Sequence, residues 1–342
     1  MQRWWRYAYE QPAVFVVTAP GSVPLRWELQ RSLRRLGWPQ VPSPAGADVL
    51  AVVGRSDDAW RATVARVWDQ LPGPRARIDV LTPEAVEGAL DGARTALLDR
   101  SERQDDERAR MSPVAGPGGD MAVMDHGGDM AGMDMPMPGG LPEASRGPDR
   151  DGLQLDVLTL QVGPALPDWP AGLVLRLAIQ GDVVQHGEGW VHARDTTAQV
   201  TPSPTNPVAE HLDVAATVLR LAGDARRAAQ IERVLQDALV GADVSGCVQA
   251  LVRDVRRSRL LRWQLAGVGV AGPDVGADAP AGSDAWDRLL LRLAAAQAGH
   301  PCAAPPSPTQ LVKLVVGAEV ADARLAVAST APTDMAGVHA VV

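Results

Sequence analysis

Cysteine is almost missing from this chain. There are two in 342 residues, Cys247 and Cys302, and none in the first 246. That scarcity excludes a disulfide framework and fits a reducing compartment. It also leaves the chain ahead of Cys247 with no thiolate for an iron–sulfur cluster. Lysine is scarcer still: Lys313 is the only one, and arginine carries the rest of the positive charge. No apolar run approaches the roughly 20 residues of a membrane span. The run from Pro12 to Ala19 is short and meets Pro20-Gly21 where a secretory signal would place a small-residue cleavage site. A cytoplasmic protein is therefore expected, with any membrane contact peripheral, at the inner face of the cell membrane. A formal net charge of -8 leaves phosphate repulsion unopposed and argues against a nucleic-acid partner. HExxH and Ser/His/Asp arrangements are absent. TAPGSVP, the loop after the first apolar run, has neither the Gly-Lys-Ser/Thr ending of a P-loop nor GxGxxG, so nucleotide binding has no motif behind it.

The residues that are present alternate between strand and helix patterns. Ala13 to Thr18 reads as a strand, followed by an amphipathic helix from Leu25 to Leu36 that ends at Gly37. Asp48 to Val53 is a continuous apolar run, as in a strand buried on both faces. Ser56 or Asp57 can cap the next helix, Leu71-Pro72-Gly73-Pro74 stops it, and Ile78 to Leu81 is extended again. Val86 to Leu98 is a further helix, and the charged stretch from Arg100 to Arg110 continues it. Strands alternating with helices predict a small, flavodoxin-like parallel α/β domain over 1–110. The segment before it, Met1 to Tyr9, combines Trp4, Trp5, Tyr7 and Tyr9 with Arg3 and Arg6. It suits a membrane interface or a partner, and equally a tail folded onto its own domain.

From Met111 the composition shifts to Gly, Pro, Asp and Met, which predicts a disordered linker over 111–150. Within it lie Met121, Met124, His126, Met130, Met133, Met135 and Met137. Thioethers with a histidine form a soft donor set suited to Cu(I). A flexible linker whose methionines adhere to an apolar partner accounts for the same residues.

The last part, 151–342, predicts an α+β domain of antiparallel hairpins followed by a helical bundle. Leu153 to Leu160 and Gly172 to Ile179 are strands, Gly181-Asp182 is a hairpin turn, and a return strand starts at Val183. Helices follow over Pro207 to Leu221, over Ala225 to Leu239, and from Val244 or Ser245 to about Leu261. The third carries Arg253, Arg256, Arg257, Arg259 and Arg262, either a solvated face or a grip for an acidic partner or lipid phosphate.

Several of these stretches resemble respiratory complex I. The run ADVLAVVG, followed by a helix ending VWDQLPGPR, is similar to the B-type subunit, the relative of the nickel-iron hydrogenase small subunit. Thr82-Pro83-Glu84-Ala85 resembles that family's RPEAL helix start. Gly163-Pro164-Ala165-Leu166-Pro167, Gly181-Asp182 and Gly189-Trp190-Val191-His192 resemble the opening of the D-type subunit, the relative of the hydrogenase large subunit. SDAWDRLLLR, Ser283 to Arg292, and the segment from Pro305 to Ser329 follow in the family's order. The resemblance implies a fused pair of NADH:quinone oxidoreductase-like subunits whose partners are other subunits of a complex I-like or hydrogenase-like membrane assembly.

It also identifies what has been lost. The B-type family's cluster cysteines are missing, so no 4Fe–4S cluster is expected there. No CxxC pair remains for nickel, and no cofactor is expected beyond a possible Cu(I) in the methionine tract. The family's quinone-binding histidine and tyrosine fall at Leu166 and Trp190, neither of which offers a quinone oxygen what they did. His192 is kept, as a packing or capping residue or as a proton donor. Asp287 and Arg288 are expected to form a scaffold ion pair. The reading that follows is a non-catalytic scaffold or adaptor. The alternatives are a quinone- or NAD(H)-linked oxidoreductase subunit with relocated ligands, or a copper-binding protein using the Met/His tract.

Overall fold

The computed structural model describes residues 10–99, 106, 108, 145–148, 154–193, 206–275 and 279–335. The aromatic tail before Glu10 and the whole methionine tract, Met121 to Met137 with His126, lie outside the described residues.

The first half alternates as expected: β1 (Val14–Thr18), α1 (Val23–Leu36), β2 (Val49–Val53), α2 (Asp58–Gln70), β3 (Ala76–Val80) and α3 (Ala85–Leu98). The three strands form one parallel sheet in the order β1-β2-β3. β2 is central and its five residues are all buried, which is why its sequence is an unbroken apolar run. A flavodoxin-like order would place β1 in the centre, so the sheet departs from that expectation. Leu25, Leu29 and Leu33 of α1 and Val86, Leu90 and Leu97 of α3 cover one face of the sheet. Trp60, Val64 and Val67 of α2 cover the other. Asp57 caps α2, its side chain accepting from the Trp60 amide at 2.8 Å. Gly37, at φ 72°, closes α1, with the Trp38 amide bonded back to the Leu33 carbonyl. Beyond α3, Asp106 and Arg108 are helical.

The second half opens earlier than residue 151. Ser145–Pro148 is a strand, β4, and it begins an antiparallel sheet in the order β4-β5-β6-β7 with β5 (Gln154–Val162), β6 (Leu173–Gln180) and β7 (Val183–Val191). The end of the expected linker is thus paired with β5, Arg146 opposite Asp156 and Gly147 opposite Leu155. Then come α4 (Pro207–Leu221), α5 (Ala225–Leu239), α6 (Ser245–Arg257), α7 (Arg259–Leu265), α8 (Ala285–Ala298), α9 (Pro308–Val315) and α10 (Val320–Thr330). The single helix expected over 245–261 is broken at Ser258. That residue takes an extended ψ of 102°, and its hydroxyl accepts from the Leu261 amide, a local bond that competes with helix continuation. One core forms between the sheet and α9 and α10, centred on Leu173, Leu175, Leu311 and Val327. Another lies among the helices, around Leu212, Ile231, Val248 and Leu289.

The two halves share a core. Helix α1 faces two ways: while its leucines cover the parallel sheet, Val23 and Trp27 pack into the helical core with Leu212 and Leu219. No helix among the described residues is long and apolar enough to cross a membrane.

Candidate functional site

A concave feature lies where the halves meet, a cavity of about 390 Å³. Val16, Val17 and Thr18 of β1, Arg26 and Gln30 of α1, the turn from Pro164 to Trp169, and Arg220 and Glu232 of the helical hairpin line it. The turn is placed by β5 and β6. The indole of Trp169 donates to the Leu173 carbonyl at 2.8 Å, and Asp168 holds a left-handed φ of 55°.

The charged wall of this cavity is closed on itself. Arg220 bonds Asp168 through Nε at 2.7 Å and Glu232 through Nη1. Glu232 also takes Arg34 of α1 at 2.7 Å, and Arg26 of α1 pairs with Asp213 of α4. Burial works against the charge on Arg220, but Asp168 and Glu232 outweigh it and raise its pKa. The Arg26 Nε is buried with no hydrogen-bond partner among the described residues. Among the described lining residues the groups that could take a proton are the carboxylates Asp168 and Glu232, and both are held by Arg220.

Two further contacts fasten the halves at the ends of helices. Ser22 makes no side-chain cap for α1; Asp334, from the far end of the chain, does this instead. Its carboxylate accepts from the Gly21 amide at 2.9 Å and the Val23 amide at 3.5 Å. At the cap of α2, His192 Nδ1 lies 2.9 Å from Asp57 Oδ2, and the Ser56 hydroxyl donates to the Ala193 carbonyl at 2.6 Å. Burial pushes the Asp57 carboxyl up, but the Trp60 amide, His192 and the Ala193 amide together hold it below its ordinary value.

The three positions expected to mark a quinone pocket therefore separate. Leu166 lines the cavity. Trp190 does not; it sits on β7 opposite Val174, with the Arg176 guanidinium 5.7 Å from its ring centre. His192 is buried at the Asp57 cap, outside the cavity lining. The ion pair expected between Asp287 and Arg288 is replaced by separate bonds. Asp287 closes a capping box with Asp284 at the start of α8. Arg288 turns inward, fully buried, and donates to the Ser283 carbonyl at 2.7 Å and the Ser329 hydroxyl at 3.0 and 3.1 Å.

A second, partly buried polar group surrounds Cys302. Its Sγ is 3.6 Å from both ring nitrogens of His211 and 3.9 Å from Arg292 Nη1, while His211 Nε2 contacts the His300 carbonyl at 3.1 Å. Glu210 lies beside it. Burial raises the Glu210 carboxyl, and the contact with Cys302 and the Arg292 charge only partly offset that. Among the described residues no group of three or more His, Cys, Asp or Glu side chains is placed to hold a metal ion.

Sequence reasoning missed Arg26, Asp168, Asp213, Arg220, Glu232 and Asp334. Arg26 and Asp213 are 187 residues apart, and no local pattern couples them. Comparison of the chain with models of known families, with curated proteins and with solved structures found no match.

Proposed function

We propose that the chain is a fused, degenerate relative of the B-type and D-type subunits of complex I. In this reading it is a non-catalytic scaffold or adaptor in a membrane-associated respiratory or hydrogenase-like assembly. The observation that carries the proposal is the cavity between the halves. Its charged groups neutralise one another through Arg220–Asp168–Glu232–Arg34, and Leu166, at the position of the family's quinone-binding histidine, is apolar. A quinone headgroup needs a polar donor that sharpens as charge develops on its oxygens, and an aliphatic side chain supplies none. The first 246 residues contain no thiolate for a cluster. What remains is a pair of subunit-like halves braced by ion pairs and a shared helix.

The same cavity supports a second reading. About 390 Å³ lies within the range of small-molecule sites. A quinone- or NAD(H)-linked oxidoreductase subunit with relocated ligands would use that volume. The test is the absorption spectrum of the purified full-length protein together with its iron, flavin and quinone content. The scaffold reading predicts no chromophore and none of these in stoichiometric amount. A bound flavin, quinone or cluster belonging to this chain would replace it with the second reading.

A further inference from the structure

The corner between α6 and α7 presents an exposed, arginine-rich surface. Val248, Leu251, Val252 and Val255 of α6 and Leu261 and Leu265 of α7 point into the helical core. Their opposite faces present Arg253, Arg256, Arg257, Arg259 and Arg262, all exposed. Among the described residues none of these five arginines has a carboxylate partner, whereas Arg26, Arg34, Arg220 and Arg227 are all ion-paired. Asp254, the one acid in the stretch, is taken by Arg227 at 2.7 Å. The chain as a whole is acidic, at -8, so this concentration of positive charge runs against its composition.

Two large apolar side chains stand among the arginines. Trp263 is 79% exposed and Leu260 is 63% exposed, three residues apart on α7 and therefore side by side. The break at Ser258 turns the chain so that both reach solvent beside the arginines.

We propose that this corner is a docking surface for an anionic phospholipid bilayer. Arginines there meet headgroup phosphates, and Trp263 and Leu260 enter the interfacial region, where an indole with one apolar and one polar edge is at home. An acidic protein segment fits the surface less well. Such a partner needs a groove for its anchoring side chains, and none of these seven residues lines the cavity between the halves or the two small ones beside Arg292 and Thr333. Exposed apolar groups close in sequence to arginines that have no carboxylate partner among the described residues suit a planar, deformable, negatively charged interface. The inference rests on the scaffold reading only for its biological setting, a membrane-associated assembly, to which it adds the face turned to the lipid.

The test uses the purified full-length protein and no other protein, so its outcome is separate from that of the scaffold reading. Flotation is measured with vesicles of phosphatidylcholine alone and of phosphatidylcholine with about a third phosphatidylglycerol, a proportion that gives a distinctly negative surface. The wild-type protein should float with the anionic vesicles only, and raised salt should release it. The Arg256→Glu, Arg259→Glu, Arg262→Glu triple variant should lose on the order of a hundredfold in partitioning. Trp263→Ala should lose severalfold while keeping its salt dependence. All substituted side chains are exposed, so circular dichroism should match the wild type. Failure of the wild type to float with anionic vesicles, or equal flotation of the triple variant, overturns the proposal. So does binding to soluble polyglutamate as tight as to vesicles and unchanged by Trp263→Ala, which would assign the surface to an acidic macromolecule.

Discussion

His192, at the end of β7, lies 2.9 Å from Asp57, the capping residue of α2, although 135 residues separate them in the chain. One carboxylate thus does two things: it starts a helix of the first half and holds the last strand of the second. Asp57→Ala removes both. The expected loss is about 1 kcal/mol, most of it from the cap, because Asp57 is 37% exposed and solvent screens its charge. The pH dependence has a definite sign. The folded Asp57 carboxyl is held below its ordinary 3.8, so its contribution is present above that value and is lost as pH falls further. Thermal unfolding of the wild type and the variant should differ at neutral pH and converge on acidification.

Asp334 should behave as a cap supplied from a distance. Asp334→Ala leaves the Gly21 and Val23 amides without their acceptor, and should cost about 1 kcal/mol. Hydrogen exchange should speed up in the first turn of α1 and leave α3 unchanged.

Gly172 lies against Pro20 of the first half. At φ 83° a Cβ there would lie 2.5 Å from Pro20 Cγ. Gly223 has a similar φ of 78° with open space around it. Both alanine variants carry the left-handed backbone cost of about 1 kcal/mol. Gly172→Ala should lose more than Gly223→Ala in denaturant unfolding, and the difference measures the packing of Pro20 against the second half.

Glu210 gives the opposite pH sign from Asp57. Burial raises its carboxyl above 4.5, so the charge it carries at neutral pH works against folding. Its favourable contribution is present below that value and is lost as pH rises through the raised pKa. Glu210→Gln should therefore raise the melting temperature at pH 7, and the gain should vanish below about pH 4, where both side chains are neutral.

Arg288 is buried and held by hydrogen bonds to Ser283 and Ser329. Arg288→Ala would leave the Ser283 carbonyl and the Ser329 hydroxyl short of a donor and open a cavity beside α10, at a cost of about 3 kcal/mol or more. A melting curve checks this, and a loss under 1 kcal/mol would contradict the inward geometry.

Local signals made much of the fold legible. Helices α4 and α5 have the bounds their sequence announces, because Pro207, Asp224, Gly223 and Gly241 punctuate them. The unbroken apolar run of β2 reads as a strand buried on both faces, and its five residues are all buried. β4 was not, since Ser-Arg-Gly-Pro carries no strand pattern and is extended only because β5 pairs with it. The break at Ser258 was also hidden: a serine in an arginine-rich helix reads as helix until its hydroxyl takes the Leu261 amide. The site was the least legible part. His192 and Leu166 could be named from motifs, but the cavity is built by pairs such as Arg34 with Glu232, 198 residues apart, which only the packed helices bring together.

The measurement that tests the central claim most directly is co-purification of the tagged, full-length protein from native membranes, with the accompanying proteins identified. The scaffold account predicts membrane subunits of a complex I-like or hydrogenase-like assembly in stoichiometric amount. Recovery of the chain alone, from membranes that retain such an assembly intact, would contradict it.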